Sequence, residues 1–174
     1  MAMMVTILFV CYENICRSPM AEGIFGDLLA RNNLQHLFSV SSAGTVSFQQ
    51  GSSPDERAIA ALSSLGIDIS SLRARSVEEL DLHDYDWIFV MDDENYWDIH
   101  RYFTPLQRPR VHLVLEFVPG RSGEEISDPY YGSAKEFDRV MNDLVVASEQ
   151  ILARMFEEYP YLSGAGSPVR QSSQ

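Results

Sequence analysis

A short apolar segment that ends in a cysteine constrains this chain more than any other feature. Residues 5–10 are apolar apart from Thr6, and residues 11–19 continue as Cys-Tyr-Glu-Asn-Ile-Cys-Arg-Ser-Pro. A run this short is typical of a strand buried on both faces of a parallel sheet rather than of a helix. Ser18 and Pro19 then predict a helix start, with Pro19 at the first helical position. We therefore expect a strand, a tight loop and a helix, with Cys11 at the end of the strand.

The spacing from Cys11 to Arg17 predicts a phosphate-binding loop. Loop amides and a helix N-terminus attract an anion, and a guanidinium can hold two of its oxygens in a fork. The same groups favour the thiolate of Cys11, which is the form in which cysteine is a nucleophile. Ser18 can hydrogen-bond the sulfur, and Asn14 tolerates the turn conformations that such a loop requires. This pattern indicates nucleophilic phosphate chemistry rather than an inert buried cysteine.

The rest of the chain alternates strands with helices, which is typical of right-handed crossovers and an α/β fold. The predicted strands are residues 5–10, 37–40, 86–91 and 111–115, and the predicted helices start at residue 18 or cover residues 55–65, 77–82, 92–103 and 135–159. We predict a single-domain, four-stranded parallel sheet with helices on both faces, covering residues 1–162, and a disordered tail at residues 163–174. Ligands of such sheets bind beyond the carboxyl ends of the strands, where Cys11 lies.

Composition excludes several kinds of partner. The formal net charge of −12 disfavours nucleic acids and anionic membranes, which need a basic surface. No apolar stretch is long enough to span a bilayer, and the first residues lack the basic segment of a signal peptide. Two cysteines five positions apart do not form a secreted disulfide framework, and the four histidines lack the spacing of metal ligands. We expect a cytoplasmic protein without membrane insertion, metal or cofactor.

Six segments together resemble the low-molecular-weight protein tyrosine phosphatases. A cysteine and an arginine at this spacing would alone be weak evidence, but the six segments occur in the family's order and extend over residues 5–156. They are VCYENICRSPMAE at residues 10–22, SAGT at 42–45, SPDERA at 53–58, AR at 74–75, MDDEN at 91–95 and DPYYG at 128–132.

The resemblance implies a catalytic set of Cys11, Arg17 and Asp128. Cys11 would attack phosphorus to form a phosphocysteine, while Arg17 and the loop amides stabilise the phosphate oxygens. Asp128 would protonate the departing phenolate and then deprotonate the water that hydrolyses the intermediate. Without the other segments, Asp128 and Pro129 would indicate only a turn. The implied substrates are phosphotyrosine-containing proteins.

The resemblance also implies supporting residues. Ser42 corresponds to a hydroxyl that bonds Asn14, and Cys16 either packs in the core or traps an oxidised Cys11 as a reversible disulfide. The phosphate-binding loop would comprise Tyr12, Glu13, Asn14, Ile15, Cys16 and Ser18. The wall of the substrate pocket would comprise Phe48, Tyr130 and Tyr131.

Two positions depart from the family pattern. Glu13 stands where relatives have glycine or another small residue, and a carboxylate there repels a phosphate unless it faces solvent or an outward ion pair. Leu72 replaces a histidine that joins the loop's hydrogen bonds in eukaryotic relatives, so we expect Asn14 and Ser42 to be braced differently.

Three other functions are compatible with this fold. A phosphocysteine carrier of the sugar phosphotransferase type would not need Arg17, Ser18 and Asp128 for hydrolysis. Phosphoarginine phosphatases resemble this family but have threonine where this chain has Ile15. Arsenate reduction on a related fold uses additional cysteines, and only Cys11 and Cys16 are present.

Overall fold

The computed structural model describes residues 3–107 and 110–165, and four parallel strands form its central sheet. The strands are β1 (Val5–Cys11), β2 (Phe38–Gly44), β3 (Trp87–Val90) and β4 (Val111–Leu113). Their order in the sheet is β2-β1-β3-β4, and all three neighbouring pairs are parallel. The sequence prediction of a four-stranded parallel sheet is confirmed. The carboxyl ends of all four strands therefore lie at one edge, as the site requires.

In the part of the chain that the structure describes, five α-helices connect or follow the strands. They are α1 (Arg17–Arg31), α2 (Glu56–Ser63), α3 (Asp93–His100), α4 (Ala134–Glu158) and α5 (Leu162–Ala165). α1 begins two residues before Pro19, so the predicted start was late. Proline is accepted there because the first amides of a helix have no partner within the helix.

Other boundaries also differ from the sequence prediction; α3 ends at His100 rather than at residue 103, and β4 ends at Leu113 rather than at residue 115. β2 continues to Gly44 rather than ending at residue 40, because residues 41–44 pair with residues 8–11 although two of them are serines. Residues 77–82 form no single helix: two short 3₁₀ turns, Val77–Glu79 and Leu82–Asp84, are separated by an extended Leu80. Residues 163–165 of the predicted disordered tail are helical in α5, and residues 166–174 lie outside the described residues.

The side chains of β1 alternate between two apolar clusters, one on each face of the sheet. Ile7 and Phe9 are buried in a cluster that includes residues of α1, α2 and α4. Leu8 and Val10 are buried in a second cluster that includes Ile99 of α3. Burial on both faces explains the continuous apolar sequence of β1. Within residues 3–107 and 110–165, no helix is long and apolar enough to cross a membrane.

Candidate active site

The loop between β1 and α1, with its flanking residues 11–18, is called the phosphate loop. Cys11 is the last residue of β1 and Arg17 the first of α1, so the two elements fix both ends of the loop. Between them, Asn14 adopts a left-handed backbone with φ of 60°. Among the described residues, the backbone amides of residues 13–16 donate to no protein acceptor. Amides left free beside a helix N-terminus suit an anion.

The buried side chain of Asn14 organises this loop. Its Oδ1 accepts from the amide of Arg75 at 3.1 Å, which fixes the orientation of the carboxamide. Its Nδ2 donates to Ser18 Oγ at 2.8 Å and to Ser42 Oγ at 2.9 Å. The predicted bond between Ser42 and Asn14 is thus present in the structure.

Two serine hydroxyls extend this network from Asn14. Ser42 Oγ donates to Glu22 Oε2 at 2.6 Å. Ser18 Oγ lies 3.0 Å from Cys11 Sγ and 3.4 Å from the carbonyl oxygen of Ala43, so its one proton has two possible acceptors. A thiolate can only accept, so Ser18 is the donor to the sulfur whenever Cys11 is ionised. Such a hydrogen bond stabilises negative charge on the sulfur.

Gly44, at the end of β2, lets the phosphate loop lie directly against the sheet. A Cβ at this position would lie 2.6 Å from Tyr12 O and 2.9 Å from Glu13 C, both of them backbone atoms. Two further backbone bonds hold the loop: Thr45 N to Cys11 O at 3.0 Å and Val46 N to Tyr12 O at 3.1 Å. Any side chain at residue 44 would displace the loop, so glycine is required here for its small size.

Arg17 places a charged guanidinium at the base of the loop, with its side chain only 2% exposed. Nη1 donates to Asp92 Oδ2 at 2.7 Å and to the carbonyl of Ile126 at 2.8 Å. Nε is buried and has no hydrogen-bond partner among the described residues. Burial lowers the pKa of Arg17, but the nearby Cys11 and Asp92 raise it more, so the guanidinium stays charged. The Nε and Nη2 edge of Arg17 is therefore available to two oxygens of a phosphate.

Asp128 lies on a second segment, residues 128–132, which is called the acid loop. Asp128 Oδ2 is 3.6 Å from Arg17 Nη2, and the side chain is 42% exposed. Its other oxygen, Oδ1, accepts from the amide of Tyr130 at 3.2 Å. The fold thus brings together Cys11, Arg17 and Asp128, the three residues that the sequence predicts to be catalytic.

A small cavity lies where the two loops meet. Its lining consists of Cys11, Glu13, Ile15, Cys16, Arg17, Asp128 and Tyr130. Glu13 is half-buried and lines this cavity, so a residue that departs from the family pattern is part of the site.

Only one residue of the predicted aromatic wall lines the cavity. That residue is Tyr130, and Tyr131 packs edge-on against it with ring centroids 5.0 Å apart. Tyr131 is 96% exposed and Phe48 is 74% exposed, with Phe48 packed edge-on against Tyr12. Phe48 and Tyr131 therefore stand outside the cavity, where they are available to a large substrate.

The whole domain matches one family of known proteins. Residues 6–160 match the family described as low molecular weight phosphotyrosine protein phosphatase. The chain belongs to this family. Over 155 residues it is 36% identical to YfkJ, a low molecular weight protein-tyrosine-phosphatase of Bacillus subtilis. The aligned residues cover 89% of this chain and 98% of YfkJ. The predicted family and enzyme class are thus confirmed.

Solved structures of related phosphatases share the fold. A protein tyrosine phosphatase of Entamoeba histolytica, solved with Hepes in its active site, has a TM-score of 0.82 at 32% identity and covers 88% of this chain and 98% of that one. The YwlE arginine phosphatase of Bacillus subtilis has a TM-score of 0.78 at 28% identity, covering 91% of this chain and 99% of that one. Both kinds of phosphatase therefore share this fold.

The second cysteine of the phosphatase, Cys16, is buried and free, as Cys11 is. Burial is the main cause that raises the pKa of the Cys16 thiol, and the charges of Cys11 and Asp55 raise it further. Cys16 therefore remains protonated near neutral pH. Its role as a redox partner of Cys11 stays a prediction.

Four residues that hold the site together were given no role by sequence reasoning: Glu22, Arg57, Arg75 and Asp92. Asp92 follows β3 and anchors Arg17, and its Oδ1 also caps α3 by accepting from Asn95 N at 2.8 Å. The sequence places Asp92 at the carboxyl end of a predicted strand, where ligands bind, but does not reveal its contact with Arg17. The amide of Arg75 bonds Asn14, and the carboxylate of Glu22 bonds Ser42. These contacts hold the hydrogen-bond network of the loop in a chain that has Leu72 in place of the histidine.

The described residues of the phosphatase contain no group of three or more His, Cys, Asp or Glu side chains arranged to hold a metal ion. The positive groups at the site are instead Arg17 and the amides of the phosphate loop.

Proposed function

We propose that this phosphatase hydrolyses phosphotyrosine in proteins through a phosphocysteine intermediate, with Cys11, Arg17 and Asp128 as its catalytic residues. The observation that carries the proposal is their convergence on one cavity, although Asp128 is 117 positions from Cys11 in the sequence (128 − 11). The relatives that the chain matches over nearly its whole length are named as tyrosine phosphatases, which supports the same reaction.

The first step transfers the phosphoryl group to the protein. The Cys11 thiolate attacks phosphorus, the bond between phosphorus and the phenolic oxygen breaks, and Asp128 gives that oxygen a proton. Arg17 holds two of the three non-bridging oxygens with Nε and Nη2, and the amides of residues 13–16 face the same charge. Asp92 keeps Arg17 in this orientation through Nη1.

The second step hydrolyses the intermediate. Water attacks phosphorus while the Asp128 carboxylate takes its proton, the phosphorus–sulfur bond breaks, and inorganic phosphate leaves. Ser18 donates to the sulfur, so the departing thiolate is stabilised. The cycle returns Cys11 as thiolate and Asp128 as acid without a cofactor.

Three features favour phosphotyrosine over smaller or guanidinium substrates. Cys11 is only 3% exposed, so the phosphate must be carried by a side chain long enough to reach it. Tyr130 lines the cavity and offers a ring to stack on a phenol. Ile15 is apolar at the position where arginine phosphatases have threonine, so it offers no hydroxyl to a guanidinium.

The assay that tests this function compares peptides carrying phosphotyrosine, phosphoserine and phosphoarginine, in buffer with a metal chelator. We expect turnover of phosphotyrosine, undiminished by the chelator, and little turnover of the other two. Faster release of phosphate from phosphoarginine would contradict the proposed substrate, and loss of activity with the chelator would contradict the proposed mechanism.

A phosphocarrier would give a different result. Its phosphoenzyme would persist in water and discharge only to a partner protein. Rapid quenching during turnover, followed by mass spectrometry of the peptide that contains Cys11, measures the lifetime of the intermediate.

We also infer a cytoplasmic location. Cys11 and Cys16 are both free, and protein thiols stay reduced mainly in the cytosol. Cell fractionation tests this inference.

A further inference from the structure

Arg57 connects the two loops of the active site. The amide of Asp55 donates to the carbonyl of Ile15 in the phosphate loop at 2.8 Å. The Asp55 carboxylate in turn accepts from Arg57 Nε at 3.0 Å and from Nη2 at 2.9 Å, and it caps α2 by accepting from the Arg57 amide at 2.9 Å. This bidentate pair is therefore attached to the phosphate loop through the backbone.

The other donors of Arg57 bind the acid loop. Nη1 donates to the carbonyl of Gly132 and Nη2 to the carbonyl of Tyr130, both at 2.9 Å. The guanidinium lies over the ring of Phe137, a fully buried residue of α4, at 4.5 Å from the centroid. One planar group thus bonds one carboxylate and two carbonyls while it rests on the core. A lysine ammonium cannot reproduce this fork.

The contacts continue from Arg57 to the reacting groups. Tyr130, whose carbonyl Arg57 holds, donates its amide to Asp128 Oδ1 at 3.2 Å. This bond leaves Asp128 Oδ2 directed towards Arg17, 3.6 Å from Nη2. Asp128 is itself largely exposed, so its position depends on how firmly the acid loop is held.

We propose that Arg57 is a positioning residue that holds the acid loop so that Asp128 delivers its proton to the leaving group. The inference rests on the proposed function, since it assumes that Asp128 is the general acid. Arg57 does not line the cavity. It acts through Tyr130, and Asp55 keeps the acid loop in a fixed position relative to the phosphate loop.

The proposal predicts a specific kinetic defect. A general acid matters most when the leaving group is a poor one, because an acidic phenol departs without a proton. Misplacement of Asp128 should therefore slow the hydrolysis of an aryl phosphate more strongly the more basic its phenol is. A general loss of folding, or weaker binding of the substrate, should slow the hydrolysis of all aryl phosphates equally.

The experiment measures kcat/KM for phenyl, 4-nitrophenyl and 2,4-dinitrophenyl phosphate with the wild type, Arg57→Met, Arg57→Lys and Arg110→Met. Arg110 is a matched control because it also pairs with one carboxylate, Glu158 at 2.7 Å, and lies over one ring, that of Trp87 at 4.7 Å. It precedes β4, at the opposite edge of the sheet from the site.

For Arg57→Met we expect a loss of about tenfold to a hundredfold with phenyl phosphate and of less than about threefold with the dinitrophenyl ester. Arg57→Lys should show the same pattern, since it keeps the charge but not the fork. Arg110→Met should leave all three rates near those of the wild type. Equal losses with every ester, or full rescue by lysine, would overturn the proposal.

A double-mutant cycle with Asp128→Asn separates the two levels of inference. If Arg57 acts through Asp128, then Arg57→Met adds little to the defect of Asp128→Asn with phenyl phosphate. Two losses that multiply would overturn the positioning role. A wild type without phosphatase activity, or an Asp128→Asn variant of unchanged rate, would instead refute the function or the general acid.

Discussion

The phosphate loop and the acid loop meet at one cavity but are stabilised in opposite ways. The phosphate loop is continuous in sequence, lies between a buried strand and a helix, and has its polar side chains inside the protein: Asn14 is 3% exposed and Ser18 0%. The acid loop lies on the surface, and Asp128 at its start is 42% exposed. It is held by Arg57, which comes from a distant part of the chain.

This contrast fits the chemistry that we propose for each loop. In the proposed mechanism, the phosphate loop stabilises the same charges in both steps, and fixed buried donors do this without reorganisation. Asp128 first gives a proton to a phenol and then takes one from water in that mechanism, so it needs access to solvent. A loop anchored at two carbonyls keeps that access and still has a defined position.

Removal of the sulfur should have the largest effect. We expect Cys11→Ser to lower turnover by about 10⁴ or more, since its hydroxyl is a far weaker nucleophile under these conditions. Binding of inorganic phosphate should persist because Arg17 and the loop amides remain. Stopped assays measure turnover, and calorimetry measures phosphate binding. Near-normal turnover would show that Cys11 is not the nucleophile.

Asp128→Asn tests the acid loop directly. Turnover of phosphotyrosine should fall by about 10²–10⁴, the usual contribution of general acid–base catalysis. Because Asp128 is exposed, thermal stability should change little, in contrast to changes in the buried network. The matched measurement is a melting curve of the same variant. An unchanged rate with a poor leaving group would remove Asp128 from this role.

Asn14 allows the backbone of the phosphate loop to be separated from its hydrogen bonds. Asn14→Ala and Asn14→Gly both remove the bonds to Ser18 and Ser42, so both should lower turnover. Only alanine is also strained by the left-handed φ of 60° at this position. The alanine variant should therefore be less stable than the glycine variant by about 1 kcal/mol. Urea unfolding measures the difference. Equal stability of the two variants would show that the left-handed backbone contributes no strain.

The same contrast explains what the sequence could reveal. The phosphate loop was predicted residue by residue, since Cys11, Asn14 and Arg17 act within eight positions of one strand and helix. Asp128 was predicted only through the family resemblance, because an aspartate before a proline is an ordinary turn. Where the geometry of the site depends on tertiary contacts, it could not be predicted from the sequence.

Asp92 and Arg57 illustrate these tertiary contacts. The pairing of Asp92 with Arg17 joins residues 75 positions apart, and the contact of Arg57 with Gly132 also spans 75. β2 was predicted too short for a related reason: Ser41 and Ser42 have the polarity of a loop, but their backbone pairs with Leu8 and Phe9. Polarity alone does not show that Ser42 is bonded to Asn14 inside the protein.

The smallest expected effect concerns Glu22, the carboxylate at the buried end of the phosphate-loop network. Burial raises its pKa above the ordinary value near 4.5, although the bond from Ser42 and the charge of Arg75 oppose the shift. A carboxyl group with a raised pKa in the folded state stabilises the fold below its ordinary pKa, and this contribution is lost as the pH rises through the folded-state value.

Glu22→Gln removes this titration but keeps an acceptor for Ser42. Its free energy of unfolding should therefore rise relative to that of the wild type as the pH increases from about 4 to 7. Urea unfolding at several pH values measures the difference, with Glu149→Gln on the exposed side of α4 as the control. A constant difference across this range would show that Glu22 has an unshifted pKa. The buried network would then tolerate a charged carboxylate as readily as the exposed acid loop does.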